Sequence, residues 1–319
     1  MLRPAFFRSA LLIALLILLV SVACGRNDNG FDLTGSLVPA DQIHLGGPPR
    51  DGIPSIDRPE FIAAADASFL AEKDRVLGLA RDDQARAYPI AIMNWHEVVN
   101  DRFGEDSIAV TYCPLCGTGM AFRSDAGGRR LSFGVSGLLY NSDVLLYDRG
   151  TESLWSQLLM RAVAGPLKGE RLTQVPLAHT SWGAWKAEHP DTKVLSTETG
   201  FRRDYGQDPY AGYSGNVEVY FPVSASSRRY HPKERVLGLA VDGRFKAYPF
   251  AELSRTGRRE ISDRFAGLDL TVRFDRTAES ARAFDADGRE LAAVSGFWFA
   301  WFAFHPETEV FSADNVGAD

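Results

Sequence analysis

Two cysteines separated by two residues are the part of this sequence best suited to chemistry. Cys113 and Cys116 lie in the run YCPLCGTG, which follows an apolar segment and contains two glycines. Thiolates at this spacing can bind a metal ion, exchange disulfides or close a small disulfide ring. Gly117 and Gly119 disfavour the helix that carries the second cysteine in thioredoxin-like sites, and they suit the tight turn of a metal-binding knuckle. Metal binding is therefore our leading interpretation, with a redox pair and a structural disulfide as alternatives.

The sequence also contains a long internal repeat, and the cysteines occur in only one copy. Residues 73–93 read KDRVLGLARDDQARAYPIAIM, and residues 233–253 read KERVLGLAVDGRFKAYPFAEL. A repeat of this length indicates a duplicated domain rather than a solenoid. Activity is expected where the copies differ, since shared residues most simply serve a common scaffold. Further matches pair Asp101-Arg102-Phe103 with Asp263-Arg264-Phe265, Val135-Ser136-Gly137 with Val294-Ser295-Gly296, and Trp182, Trp185 and His189 with Trp298, Trp301 and His305.

Two thiolates leave a metal site incomplete. Zinc usually takes four ligands from cysteine and histidine, whereas copper(I) accepts two or three soft ligands. His96 is the third ligand that we expect, because it too is missing from the second copy, and Met120 is a soft fourth candidate. The chain has no second Cys-x-x-Cys pair, so a four-cysteine zinc ribbon is excluded. The sequence thus favours copper(I) over zinc.

A block of polar and aromatic residues follows the cysteines and has no counterpart in the second copy. Residues two apart on a strand share a face, so Ser153, Trp155 and Gln157 are expected to line one side of a hairpin. This block predicts a pocket beside the metal site. Its candidate residues are Asn141, Asp143, Tyr147, Asp148, Arg149, Ser153, Trp155 and Gln157.

The N-terminus has the pattern of an export signal. Arg3 and Arg8 precede an apolar stretch at residues 10–20, which is too short for a mature membrane-spanning helix, and Val22-Ala23-Cys24 follows it. A cysteine directly after Val-Ala resembles the lipidation site of bacterial lipoproteins. Residues 1–23 are therefore predicted to be a signal peptide, and lipid on Cys24 is predicted to anchor the protein in the cell envelope, on the periplasmic side or the cell surface.

Charge and motifs narrow the functional classes. The formal net charge is −6 and there is no run of basic residues, which argues against nucleic acid as a partner. The sequence lacks the G-x-S-x-G, H-E-x-x-H and phosphate-loop motifs. Enzymatic activity is therefore left open, and the functional alternatives are a metal-binding lipoprotein, a thiol–disulfide oxidoreductase of the envelope, or a binding and assembly module. The sequence also leaves open whether the protein binds another protein of the cell envelope.

The predicted fold is α+β and rich in β-structure. In both repeats, VLGLA followed by a charged turn and KAYPF or RAYPI predicts a β-hairpin that leads into a helix. We divide the chain into a tether and packed arm at residues 24–59, a complete first domain at residues 60–223, and a reduced second copy at residues 224–319. The second copy is expected to contribute packing rather than a second site.

The motifs of the first copy resemble the bacterial domain-of-unknown-function family 3179. The resemblance spans about residues 45–215. The second copy departs from the pattern, since it lacks the cysteines and the central block. The family has no established activity, so the resemblance supports the location of the site and implies no mechanism. The motifs that carry it are Ala87-Tyr88-Pro89, His96-Glu97-Val98-Val99-Asn100-Asp101, Tyr112-Cys113-Pro114-Leu115-Cys116-Gly117-Thr118, Gly137-Leu138-Leu139-Tyr140-Asn141-Ser142-Asp143, Tyr147-Asp148-Arg149, Ser153-Leu154-Trp155-Ser156-Gln157 and Asp208-Pro209-Tyr210.

Overall fold

The structure, a computed structural model, describes residues 28–315. The predicted signal peptide and Cys24 lie outside the described residues. Within the described part of the chain, no helix is long and apolar enough to cross a membrane.

Short strands dominate the molecule, as the α+β, β-rich prediction states. The strands are β1 (Ile43–Leu45), β2 (Phe61–Ala63), β3 (Arg75–Arg81), β4 (Gln84–Pro89), β5 (Val98–Phe103), β6 (Asp106–Cys113), β7 (Thr118–Arg123), β8 (Asp125–Ala126), β9 (Arg129–Arg130), β10 (Phe133–Tyr140), β11 (Asp143–Asp148), β12 (Leu154–Ser156), β13 (Arg161–Ala164), β14 (Thr173–Val175), β15 (Ala178–Ser181), β16 (Lys193–Leu195), β17 (Arg235–Val241), β18 (Arg244–Pro249), β19 (Glu260–Phe265), β20 (Leu268–Asp275), β21 (Ser280–Asp285), β22 (Val294–Phe297) and β23 (Glu309–Val310). The helices are α1 (Ile90–His96), α2 (Trp182–Glu188), α3 (Phe250–Arg255) and α4 (Trp298–Phe304), and 3-10 turns span Ala40–Gln42, Ala64–Asp66 and Ala313–Asn315.

The hairpin-plus-helix prediction is confirmed in both segments. β3 pairs with β4 and β17 pairs with β18 in the same antiparallel register, with Val76 opposite Pro89 and Val236 opposite Pro249. Each hairpin closes through a two-residue turn whose first residue is left-handed. The strand-ending proline has a φ of −62° in the first segment and −64° in the second, which suits the residue before a helix. Helices α1 and α3 begin directly after these prolines.

A tryptophan packs against a strand glycine in each segment. A Cβ on Gly78 would lie 2.3 Å from the Trp185 ring, and one on Gly238 would lie 2.2 Å from the Trp301 ring. Both positions therefore require glycine, because any side chain would displace the indole. The helix-borne tryptophans belong to the core, as the sequence pattern indicated.

One sheet contains strands from both segments. Its order is β23-β18-β17-β22-β7-β6-β5, with β14 also pairing to β7. The two parts meet where Ser295 of β22 pairs with Gly119 of β7. A second sheet has the order β15-β3-β4-β16-β2, a third has β1-β10-β11-β12-β13, and a fourth has β19-β20-β21. The segments before and after residue 224 thus share a continuous hydrogen-bonded layer beside the cysteines.

The segments also share a hairpin turn that the sequence comparison did not match. β6 reaches Cys113 and β7 begins at Thr118, while β20 reaches Asp275 and β21 begins at Ser280. The last turn residue is left-handed in both, with a φ of 61° at Gly117 and 45° at Glu279. The turn that carries the two cysteines in the first segment therefore has a counterpart without thiols in the second.

One sequence match is wrong in structural terms. Residues 135–137 were paired with Val294-Ser295-Gly296, but they lie in β10, which belongs to a different sheet. The strand in the place of β22 is β15, because each pairs with the first strand of its hairpin and leads directly into a tryptophan-bearing helix. The short Val-Ser-Gly match was a coincidence of composition.

Candidate metal centre

The two cysteines lie on a tight turn between β6 and β7. Cys113 is the last residue of β6 and pairs with Thr118, the first residue of β7. Residues 114–117 form a turn and not a helix, as the two glycines predicted. Both cysteines are free thiols and are buried. The turn therefore presents two thiols to the protein interior.

Asp143 completes a group of three potential metal ligands. One ligand atom from each of Cys113, Cys116 and Asp143 lies within 4.8 Å of the other two. Asp143 is the first residue of β11, which follows a turn formed by left-handed Asn141 and Ser142. The Cys116 Sγ contacts the carbonyl oxygen of Ser142 at 3.2 Å, which fixes this turn against the cysteines. The arrangement offers two sulfur ligands and one carboxylate.

Buried polar atoms in this group lack partners. One Asp143 oxygen, Oδ2, accepts a hydrogen bond from the Leu158 amide at 3.2 Å. The other, Oδ1, and the Ser142 Oγ have no hydrogen-bond partner within the described part of the protein. An unsatisfied buried carboxylate oxygen is costly unless a cation or proton balances it. The donor set thus fits a bound cation.

Burial favours the protonated forms of these groups in the absence of a metal. It raises the pKa of Asp143 to about 7. Burial also raises the pKa of the Cys113 thiol, and it raises that of Cys116 well above the usual range, with the neighbouring Cys113 adding to the shift. A metal ion would replace these protons, because its charge stabilises the ionised ligands.

His96 does not join the cysteines. Its Nδ1 lies 2.7 Å from the carbonyl oxygen of Pro54, and its Nε2 lies 2.6 Å from the Tyr205 hydroxyl. Both ring nitrogens are therefore engaged at the end of α1. Asp143, which the sequence placed in the adjoining pocket, is the third member of the group of potential ligands, where the sequence analysis had expected His96.

Glu97 is the residue that the sequence reasoning missed. It follows α1 in a left-handed conformation with a φ of 57°. The equivalent position after α3 is Gly257, which has a φ of 67°. Its backbone carbonyl accepts from the Tyr112 amide at 2.7 Å, which ties it to the strand that carries the cysteines. Burial, followed by the charge of Asp143, raises the pKa of Glu97 to about 8. Glu97 is therefore a buried acidic residue whose charge is coupled to that of Asp143, in a backbone conformation that is uncommon for a residue other than glycine.

The predicted pocket residues divide into separate groups. Gln157 lies behind the cysteine turn, where its Nε2 donates to Thr111 Oγ1 at 2.8 Å and its Oε1 accepts from Thr118 Oγ1 at 2.7 Å. Asn141 lies on the other side and connects the turn before Asp143 to Ser224 and Ala303. These two residues support the turns on which the candidate ligands stand.

The remaining pocket residues form buried or surface networks away from the thiols. Asp148 accepts from the Thr151 amide at 2.6 Å, from Thr151 Oγ1 at 2.7 Å and from Trp155 Nε1 at 3.0 Å. Ser153 bonds to Thr151 Oγ1 and to the Leu167 amide. Tyr147 and Arg149 donate hydrogen bonds to the Asp51 carboxylate at the end of the β10–β11 hairpin that lies away from its turn. Met120 is fully buried in β7.

The second segment forms one wall of the centre. The Phe297 amide donates to the Cys116 carbonyl at 2.8 Å. Tyr213 packs in the same apolar cluster as both cysteines, and its buried hydroxyl has no partner among residues 28–315. Lys233 lies 3.8 Å from the Tyr213 ring and donates to the carbonyl oxygens of Asn216 and Glu218 at 2.9 and 2.6 Å. This contact agrees with a packing role for the second segment, and the prediction that the segment contributes no site of its own stays a prediction.

Gly117→Ala is expected to destabilise the protein through two separate effects. Its φ of 61° is unfavourable for alanine, and its new Cβ would lie 2.9 Å from the Phe297 ring. The backbone term costs about 1–2 kcal/mol, and displacing the ring adds to it. Urea unfolding measures the total loss.

Gly128→Ala is the matched control for this prediction. Its φ is 70°, and nothing lies within 4 Å of the position of its Cβ. It should therefore lose only the backbone term of about 1–2 kcal/mol. Equal losses for the two variants would show that the contact with Phe297 does not constrain the turn.

Comparison with known proteins supports the family and supplies no activity. Searches of curated proteins and of solved structures give no match. A family model described as "Protein of unknown function (DUF3179)" matches residues 50–308, which is most of the chain. The match extends past the expected limit near residue 215 and includes the second segment. The chain therefore belongs to this family of unknown function, DUF3179.

Proposed function

We propose that this protein binds one zinc ion through Cys113, Cys116 and Asp143. The observation that carries the proposal is the buried group of two thiols and a carboxylate whose ligand atoms lie within 4.8 Å of one another. The unpartnered Oδ1 of Asp143 supports it further, because a cation would satisfy that oxygen. Glu97, whose pKa is raised by burial and then by the charge of Asp143, lies outside this group of ligand atoms and would add negative charge near the ion when ionised.

The carboxylate changes the metal that we favour. Copper(I) prefers soft sulfur ligands, whereas zinc accepts cysteine, histidine and carboxylate together. A ligand set of two thiolates and the Asp143 carboxylate therefore favours zinc over the copper(I) that the sequence suggested. Three protein ligands would leave the fourth position of a tetrahedral zinc ion to water or another ligand.

Thiol–disulfide exchange is less well supported than metal binding. A reactive cysteine needs an accessible thiolate with a lowered pKa. Here burial raises the pKa of both thiols. Only 2% of the Cys113 surface is exposed and none of the Cys116 surface. These properties favour metal binding over the redox alternative.

We further propose that the zinc protein is a lipoprotein of the cell envelope. The proposal rests on the signal-like N-terminus and on Cys24. A lipid on Cys24 would then attach the protein to the membrane. The acidic net charge of −6 would give little attraction to anionic lipid surfaces, so the lipid would supply the attachment.

Metal content and thiol accessibility of the native protein test the proposal together. The purified protein should hold about one zinc per chain, and maleimide should label both thiols only after chelation and denaturation. Mass spectrometry of the same sample should find a lipid-modified N-terminal Cys24. Absence of metal after anaerobic reconstitution with zinc and with copper(I) would reject the metal site. Rapid labelling of the native metal-free protein would favour the redox alternative.

A further inference from the structure

Two arginines from the two segments converge on one histidine, away from the cysteines. Arg75 begins β3 and Arg235 begins β17, which is the same position in the two hairpins. Arg75 Nη2 donates to the backbone oxygen of His179 at 2.9 Å. Arg235 Nη2 lies 3.1 Å from the ring Nδ1 of the same residue. Two guanidinium groups thus lie on either side of His179 in β15.

The two arginines have unequal sets of partners. Arg75 also donates to the backbone oxygens of Ala278 and Glu279, in the turn between β20 and β21. Arg235 has the His179 ring as its hydrogen-bond acceptor within residues 28–315. The Nε atoms of both arginines are buried and have no partner in that range. Arg235 in particular has guanidinium N–H donors without an acceptor among residues 28–315.

No carboxylate within the described part of the chain balances these charges at ion-pair distance. The ion pairs found there, with a limit of 4.0 Å, include neither Arg75 nor Arg235. Glu279 is the nearest acidic residue that affects both arginines, but it is exposed and contacts Arg75 through its backbone oxygen. The local field is therefore positive.

Neighbouring titratable groups do not supply a negative charge. Burial raises the pKa of Tyr112 to about 12, so its hydroxyl stays neutral. Burial holds the pKa of His179 well below its usual range, which leaves the ring neutral and its Nδ1 free to accept from Arg235. Burial and then the charge of Arg235 lower the pKa of Arg75 to about 9, which reflects the unbalanced charges.

We propose that Arg75, Arg235 and His179 form a binding site for a small oxyanion, a carboxylate or a phosphate. Guanidinium forks match the oxygens of both groups, and an anion would satisfy the unused Nε–H donors. Arg75 and Arg235 both keep part of their surface exposed, and the proposal requires that a small anion approach the guanidinium groups from that side. The site is separate from the proposed metal centre.

A serine hydroxyl adds a further donor on the same face of the sheet. Ser295 pairs with Leu237, two residues after Arg235 on β17. Residues opposite each other and residues two apart on a strand share a face, so Ser295 faces the same side as Arg235. Its buried Oγ has no partner in the described part of the chain. Three unpartnered polar atoms, from Arg75, Arg235 and Ser295, therefore lie in this region of the fold.

Titration of the whole protein with acetate and with inorganic phosphate tests the site. Calorimetry at constant ionic strength should show saturable binding of at least one anion by the native protein. Arg235→Gln should weaken that binding by about 10- to 100-fold, since hydrogen bonds to charged groups are worth about 1.5–3 kcal/mol. Arg228→Gln is the matched control, because Arg228 is exposed and lies outside the site. Its affinity should equal that of the native protein.

The two anions also identify the ligand class. Binding of acetate alone indicates a carboxylate ligand, binding of phosphate alone indicates a phosphate, and binding of both indicates a general oxyanion site. The proposal is overturned if neither anion binds the native protein or if Arg235→Gln binds as well as the native protein does. Should Arg235→Gln fail to fold, Arg235→Lys replaces it, because lysine keeps the charge and loses the planar fork. Unchanged affinity in that variant also overturns the proposal.

Discussion

Asp143→Asn is expected to weaken zinc binding by more than about 100-fold, because loss of an outer-shell partner alone typically costs 10- to 100-fold. Asparagine keeps the size of the side chain but removes the negative charge that the buried cation requires. Competition against a chelator of known zinc affinity measures the change. A loss smaller than about tenfold would remove Asp143 from the set of ligands.

Asp148→Asn is the matched control for this prediction. Asp148 is as fully buried as Asp143, but its oxygens already accept from Thr151 and Trp155. The control should lower the free energy of unfolding because it disturbs a satisfied network. Its zinc affinity should stay close to that of the native protein.

Asp143→Asn should also change how the stability of the metal-free protein depends on pH. The pKa of Asp143 is about 7 in the folded protein, compared with an ordinary value of 3.8. The folded state therefore binds more protons at this carboxyl than the unfolded state between these values, so the contribution of Asp143 to stability is fully present below about pH 4 and is lost as the pH rises through 7. The loss is on the order of 4 kcal/mol for a shift of this size. Glu97, with a pKa of about 8, acts in the same direction.

Urea unfolding of chelator-treated protein at about pH 4 and pH 8 measures this loss. Asp143→Asn should flatten the pH dependence, because asparagine does not titrate. Bound zinc should also flatten it in the native protein, since the metal balances the ionised carboxylate. An equally steep decline in the variant would show that other groups cause it.

Trp301→Ala is expected to lower the free energy of unfolding by about 3–5 kcal/mol, the usual cost of removing a fully buried aromatic residue. Trp301 is 2% exposed, packs on Gly238 and donates from Nε1 to Thr308 Oγ1 at 2.9 Å. The substitution leaves a cavity and removes one of the two hydrogen bonds of the Thr308 hydroxyl, which still donates to the Glu309 carbonyl. Because typical domains are stable by only about 5–15 kcal/mol, the thermal midpoint should fall by many degrees.

Trp95→Ala provides the comparison for this variant. Trp95 is only partly buried on α1 and donates to the Gln207 carbonyl, so its removal should cost clearly less. Zinc stoichiometry in the folded fraction of Trp301→Ala should remain about one, since Trp301 is not among the proposed ligands and its hydrogen bond goes to Thr308. Loss of zinc from the folded protein would mean that packing of α4 is needed to position the ligands of the metal centre.

Local patterns were enough to predict the hairpins and the cysteine turn. The repeated VLGLA segments, the turn residues after them and the prolines before α1 and α3 act within a few residues of one another. Gly117 likewise constrains the turn through its own backbone. Such short-range features are determined mainly by the sequence that carries them.

The third ligand could not be predicted in the same way. Asp143 follows the tight turn between β10 and β11, and this turn reaches the cysteines through the contact of the Ser142 oxygen with Cys116 Sγ, a tertiary contact that no local pattern encodes. At the end of α1, the left-handed backbone of Glu97 turns the chain, and the His96 ring instead contacts Pro54 and Tyr205. Helical spacing alone gives no sign of this reversal. The contact between β7 and β22 likewise joins residues that are far apart in the sequence.

The hydrogen bond from Phe297 to Cys116 has a consequence for the timing of assembly. Because Phe297 follows Cys116 far along the chain, the Cys116 carbonyl lacks this partner in any folding intermediate in which β22 has not yet docked. In such an intermediate the edge of β7 beside the cysteine turn is unpaired, and we expect the thiols to be more accessible than in the complete fold. If the centre binds zinc as proposed, the ion should load fastest before β22 docks and exchange slowly afterwards.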